Sequence, residues 1–318
     1  MLSRRLLRIK VVKALYAYIQ AGGGDTSGAG MKAMRKNLRE SIDRAYDLYF
    51  QMLWLVVEVR RYAETRIELG RNKHLPTPEE RNPNMKFVQN ELIRRIEESD
   101  AVVGHIKKRK LGWSAYPELI KELYEALTAS DYYKRYMEGG NGDLRDDIAV
   151  VRAFYSSAEL EDSALLEDVL EEQSVLWNDD AGFAIVMVVR TLERIRDNQT
   201  DIPVLPEFKS DEDPVFADTL LVRAVDEWED NMKLVQQFTL NWDIERIALV
   251  DNLVISAAIT ELTAFDDIPV KVTLDEYIEI AKYYSTPGSN SFINGVLDKV
   301  VETLTADGRI NKQGKGLI

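Results

Sequence analysis

The sequence predicts an all-α protein, and three observations carry that expectation. Apolar residues recur at i, i+3, i+4 and i+7 in one stretch after another, the spacing of a helix face. No segment sustains the period-two alternation that a half-buried strand needs, and no fixed-period repeat marks a solenoid. Apolar residues fill 45% of 318 positions, enough for a sizeable core and too many for a disordered chain.

Ser3 is the N-cap of a first helix running to about Ile19, with Leu7, Val11, Ala14, Leu15 and Tyr18 on one face. Gly22, Gly23, Gly24 and the run Ser27 to Gly30 make a loop. It lacks the GK[ST] ending of a P-loop and follows no strand, so it is no phosphate cradle. Met31 to about Leu69 is helical, free of proline, and ends at Gly70; Ile42, Ala45, Tyr46, Tyr49, Met52, Leu53 and Val56 share one side. Arg71 to Pro83 is a loop holding Pro76 and Pro78. Helices follow at Asn84–Ser99, Pro117–Ser130, Asp146–Tyr155 and Leu165–Leu176, with Gly139 to Gly142 a second loop. Asp179 and Asp180 cap a more apolar helix to about Arg196.

The clearest linker is Asn198 to Pro214, with Pro203, Pro206 and Pro214 among acids. Pro214 then opens a helix to about Phe238, and Asp243 caps another to about Phe265. Thr273 and Glu276 form a T-x-x-E capping box for a short helix carrying Tyr277, Ile278, Ala281 and Tyr284. Ser291–Leu304 is the last helix. The tail from Ala306, with Arg309, Lys312 and Lys315, is expected to fray.

Charge is unevenly placed. The net charge is -13, yet the first helix carries Arg4, Arg5, Arg8, Lys10 and Lys13, with no acid before Asp25. Positive charge in a first turn opposes the helix dipole at a cost of about 0.3–1 kcal/mol per exposed charge. No acid close in sequence offsets it. An external anion would, and nucleic-acid phosphate is the natural one. A solvated basic face and an Arg-rich organelle transit peptide compete with that reading. The second is weakened because residues 13–16 lead straight into patterned sequence. Lys10 and Lys13 interrupt the apolar core that a secretory signal needs.

Cysteine is absent, which excludes disulfides, thiol nucleophiles and Cys-ligated metal sites and fits a reducing cytoplasm. His74 and His105 are the only histidines and read as stray surface residues, which leaves a His-based metal site or a Ser-His-Asp triad without support. The longest apolar run, Ala181 to Val189, is far short of the roughly 20 residues that span a bilayer. A soluble cytoplasmic protein is expected.

The C-terminal third carries a family resemblance. Asn241-Trp242-Asp243-Ile244-Glu245-Arg246 opens a helix that ends near Thr260-Glu261-Leu262. Ile268-Pro269-Val270-Lys271-Val272 follows, then Glu279-Ile280-Ala281-Lys282-Tyr283, and the run FINGVLDK (292–299). This succession resembles the NusB family of bacterial transcription antitermination factors, and the opening RRLLRIKVVKALY (4–16) resembles that family's Arg-rich first helix. Ordinary members join these blocks by a short segment; here residues 21–213 intervene, as in the long members of the Bacteroidetes type.

The resemblance implies a two-subdomain helical bundle with a long helical insertion after the first helix. Its parts would be 1–20 as the first helix, 21–213 as the insertion plus a remaining N-terminal-subdomain helix, 214–306 as the C-terminal part, and 307–318 as a flexible tail. It implies no catalysis and no cofactor. The expected partners are single-stranded boxA-type leader RNA, the small-subunit ribosomal protein NusE and the elongation complex, with self-association left open. Arg4, Arg5, Arg8, Lys10 and Lys13 would face RNA, with Tyr16 a stacking candidate. Ser289, Asn290, Phe292, Asn294 and Lys299 would contribute from the last helix, and Glu245 would face NusE. Two alternatives stay open: a NusE-binding ribosome-assembly scaffold with little RNA binding, and a partner domain of an RNA methyltransferase. The second lacks the expected G-x-G-x-x-G after a strand.

Overall fold

The structure is a computed structural model that describes residues 1–22, 28–140, 142–177, 179–199, 201–238 and 248–312. Among them are sixteen α-helices and no strand, the all-α class expected. In chain order they are α1 (Arg4–Gln20), α2 (Gly28–Arg71), α3 (Pro78–Arg81), α4 (Glu91–Glu98), α5 (Asp100–Arg109), α6 (Pro117–Ala129), α7 (Asp131–Glu138) and α8 (Leu144–Tyr155). Then come α9 (Ala158–Glu161), α10 (Ala164–Gln173), α11 (Ala181–Arg194), α12 (Glu212–Asp226), α13 (Trp228–Phe238), α14 (Leu249–Ala264), α15 (Val270–Tyr284) and α16 (Ser289–Ala306). The chain divides into two compact units. One comprises Met1–Leu2 and Asp43–Glu207, the other Ser3–Ile42 and Phe208–Ile318.

The first unit is built on the later part of α2. Every residue from Asp47 to Val57 is buried, as in a helix covered on all sides. Bulky polar-tipped residues from the following helices and loops bond to it. Trp113 Nε1–H donates to the Gln51 carbonyl at 2.9 Å, Tyr155 Oη–H to the Met52 carbonyl at 2.6 Å and Trp177 Nε1–H to the Arg44 carbonyl at 2.7 Å. His105 is not a stray surface residue. Its ring stacks on Phe50 at 3.9 Å and its Nε2 lies 2.9 Å from Asp47 Oδ1. Burial pushes the Asp47 carboxyl up, but hydrogen bonds from His105 and Arg109 outweigh it and hold the group below its ordinary value.

The second unit is built on α14. Leu253, Val254, Ile255, Ala257, Ala258, Ile259 and Leu262 are wholly inaccessible. α14 packs against α1, α12, α13, α15 and α16, and its small residues Ser256, Ala257 and Ala258 allow close approach. Asn231 on α13 donates from Nδ2 to Ser256 Oγ and Thr260 Oγ1, both at 3.1 Å. α1 lies against α12, α14 and α15.

Several boundaries differ from expectation, each for a local reason. The helix expected at 84–99 begins only at Glu91, because the Asn90 side chain accepts the Ile93 N–H and caps there. Ser99 then caps α5, which sequence periodicity had not indicated. The helix expected from Pro214 to Phe238 starts at Glu212 and breaks at Glu227. α15 begins at Val270, with Pro269 at its N-cap, so Thr273 and Glu276 lie inside the helix and form no capping box. The segment after Ala306, expected to fray, is held at Lys312, whose ammonium donates to the Phe265 carbonyl at 2.7 Å at the end of α14. The expected Asp243 cap lies outside the described residues.

Candidate nucleic-acid interface

α1 starts where Ser3 Oγ accepts the Leu6 N–H at 3.2 Å. Its first turn contains no acid, yet each of its three arginines meets one from far along the chain. Arg4 Nε donates to Asp213 Oδ1 on α12 at 3.0 Å. Arg5 sets its fork on Glu276 of α15, at 2.8 and 3.0 Å. Arg8 sets its fork on Glu261 of α14, at 2.7 Å to each oxygen.

Glu261 is fully buried and Arg8 is 3% exposed. The Thr273 hydroxyl donates to Glu261 Oε1 at 2.9 Å and the Tyr277 hydroxyl to Oε2 at 3.2 Å, so this carboxylate is saturated. Burial pulls the Arg8 guanidinium down, but the hydrogen bond and charge of Glu261 more than offset it. Burial, then the Glu261 charge, drive the Tyr277 hydroxyl well above its ordinary value.

The anion that the first turn calls for is therefore internal. Arg8 and Lys10, expected to face RNA, are buried at 3% and 2% exposure, too little for either to meet a nucleic acid. Arg4 and Arg5 are partly accessible; Arg4 gives its Nε to Asp213, and Arg5 its Nε and one terminal nitrogen to Glu276. Thr273 and Glu276 serve the arginines rather than the α15 terminus.

The later half of α1 is different. Lys13 Nζ sits 5.3 Å over the Tyr284 ring of α15. One turn on, Tyr16 is 43% exposed, and at the end of α15 Tyr283 is 77% exposed. Lys282 is exposed beside it, its ammonium 2.8 Å from Glu279. Ammonium groups interleaved with accessible aromatic faces suit a single strand, whose bases stack while its phosphates find charge.

α15 also packs against α16, and the turn between them is fixed from beneath. Gly288 has φ 94°, where a side chain is strained. Ser289 is buried; its hydroxyl donates to Asp251 Oδ2 at 2.9 Å, while Ser285 donates to the other oxygen. Ser289 thus anchors the helix start. Asn290 and Phe292 are half-buried, whereas Asn294 and Lys299 are exposed. Asn294 Nδ2 donates to Asp298 at 3.2 Å, and Lys299 pairs with Glu302 at 2.8 Å. Glu245 lies outside the described residues.

Sequence reasoning missed Asp213, Glu261 and Glu276 as arginine partners, and Lys282, Tyr283 and Tyr284 as surface. Glu261 did carry a signal: a lone acid in an apolar run such as ISAAITEL is buried with a partner or not at all.

A family model, that of the NusB family, matches residues 183–302. Relatives named "Transcription antitermination protein NusB" match as well. The one from Salinibacter ruber is 44% identical over 111 residues, 34% of this chain and 69% of the relative. The chain belongs to the NusB family. The NusB of Chloroherpeton thalassium is 42% identical over 78 residues, 24% of this chain and 37% of that protein. The NusB of Natranaerobius thermophilus is 35% identical over 89 residues, 28% of this chain and 64% of that protein. The chain thus spans less than two thirds of the length of these last two relatives. No solved structure matches. The matched stretch runs from α11 into α16, so the NusB family model does not reach α1 and its arginines. Among the described residues no helix is long and apolar enough to cross a membrane, and no acid or histidine cluster suits a metal ion.

Proposed function

We propose that this chain is a non-enzymatic cytoplasmic transcription antitermination factor that binds boxA-type leader RNA jointly with NusE. The observation that carries this reading is the 44% identity with the Salinibacter ruber transcription antitermination protein. The cation–aromatic face at the α1–α15 contact supports it. Within the site, Lys13, Tyr16, Lys282 and Tyr283 meet RNA first, and Asn290, Phe292, Asn294 and Lys299 extend the contact along α16. Arg4, Arg5, Arg8, Lys10 and Ser289 hold that surface in place. The negative bulk of the protein favours a basic ribosomal partner and keeps RNA off other surfaces.

The test is titration of a boxA-type RNA and a scrambled control with the chain, with NusE, and with the pair. The pair should bind the boxA-type RNA more tightly than either protein alone and the scrambled RNA more weakly. Equal affinity for both RNAs would refute sequence readout. One observation favours a second reading: the forks of Arg5 and Arg8 are already filled by carboxylates, as suits a NusE-binding ribosome-assembly scaffold with little RNA binding. A stable pair with NusE that gains no RNA affinity would select it.

A further inference from the structure

A second cationic stripe lies at the start of α2, in the same unit as α1. Lys32, Arg35, Lys36 and Arg39 stand at i, i+3, i+4 and i+7, on one side of the helix. All four are exposed, and no acid occurs from Gly28 until Glu40. Lys32 and Arg39 are separated by about 10.5 Å of helix rise. With Pro214, Ala217 and Asp218 of α12, and with Leu38 and Ile42, they line a cleft of about 380 Å³.

Arg35 sets its fork on Asp218, at 2.6 and 2.7 Å. Lys32 and Lys36 meet no carboxylate among the described residues. Arg39 lies 5.0 Å over the ring of Phe208, which is half-buried and followed by the exposed Lys209. A line of exposed cations ending on an accessible aromatic ring is the combination that tracks a single strand without reading its sequence. In a chain of net charge -13, exposed lysines such as Lys32 and Lys36 in this line favour a polyanion.

We infer that the Lys32–Arg39 face of α2, with Phe208 and Lys209, is a second, sequence-independent track for the phosphate backbone of single-stranded RNA. It rests on the reading of the chain as an RNA-binding NusB protein, and would carry RNA flanking the specifically read element. Lys32 and Lys36 supply charge to successive phosphates; Phe208 offers a face for one base.

The test uses the full chain with a labelled 20-nucleotide oligouridine, a boxA-type RNA and polyglutamate. Lys32→Ala/Lys36→Ala is compared with the parent across a salt series. The expected result is an oligouridine affinity lower by about five- to tenfold at low salt and a log–log salt slope smaller by about 1.4, two single-strand phosphates. Unchanged affinity and slope in the double variant would overturn the track. So would polyglutamate binding that matches oligouridine and falls equally in the variant, which would make the stripe a site for acidic protein. If the parent shows no preference for boxA-type RNA but the variant still loses oligouridine binding, the track stands and the antitermination reading fails. If the parent binds no RNA at all, both fail.

Discussion

α1 and α2 both open on a run of cations without an acid in the first turn, and the fold treats them oppositely. On α1 the guanidinium groups pair with Asp213, Glu276 and Glu261, and that of Arg8 is buried. On α2 the corresponding side chains stay exposed, Arg35 with its fork on Asp218 among them. A basic helix is therefore not by itself a nucleic-acid surface. What decides is whether distant acids reach it, and that depends on packing rather than on local charge density.

The contrast is broken most severely at Arg8. Arg8→Ala leaves Glu261 charged and buried without its main partner, and should destabilise the chain by about 3–5 kcal/mol in denaturant unfolding. Arg8→Met combined with Glu261→Leu removes both charges and should recover most of that loss. Failure of the double variant to recover would mean that Thr273 and Tyr277 depend on the carboxylate more than the arginine does.

A smaller effect is expected beneath the turn into α16. Asp251→Ala leaves the Ser285 and Ser289 hydroxyls without their acceptor and should cost about 1–3 kcal/mol, with faster amide exchange from Ser285 to Phe292. Unchanged exchange there would remove the carboxylate's anchoring role.

Acid acts on the first unit through Asp47. Asp47 has a lowered value in the folded state, so the unfolded chain binds its proton first as pH falls. Its contribution is present above the ordinary carboxylate value and lost as pH drops through the lowered folded one. Asp47→Asn should lower stability at neutral pH and flatten the acid limb of a stability–pH profile. An acid limb of unchanged slope would contradict this.

The smallest effect on stability is expected on α2. Lys32→Ala/Lys36→Ala should stay within about 0.5 kcal/mol of the parent. A larger loss would mean that those lysines, like the α1 arginines, hold the fold.

Much of this was legible in the sequence. The long α2 followed from a proline-free run with one apolar side, and α16 from Phe292, Val296, Leu297 and Val300 read as its inner side. There the structure buries Ile293 and leaves Phe292 half-buried. The basic first helix was equally plain. Its partners were not, because Arg8 and Glu261 are 253 residues apart and a charge pattern read locally carries no information about such a pair. The T-x-x-E of Thr273 and Glu276 misled for the same reason: its side chains satisfy a tertiary demand stronger than helix capping. Tyr283 lay in view within a family motif, but its exposure is set by the end of α15 rather than by spacing.

The most direct measurement sets stability and RNA affinity side by side in one variant. Tyr16→Ala/Tyr283→Ala, with NusE present, is titrated with a boxA-type RNA and unfolded in denaturant. The expected result is an affinity loss of about tenfold or more, from stacking worth about 1–3 kcal/mol per base, with an unchanged unfolding midpoint. Full affinity in this variant would contradict an RNA surface at the α1–α15 contact.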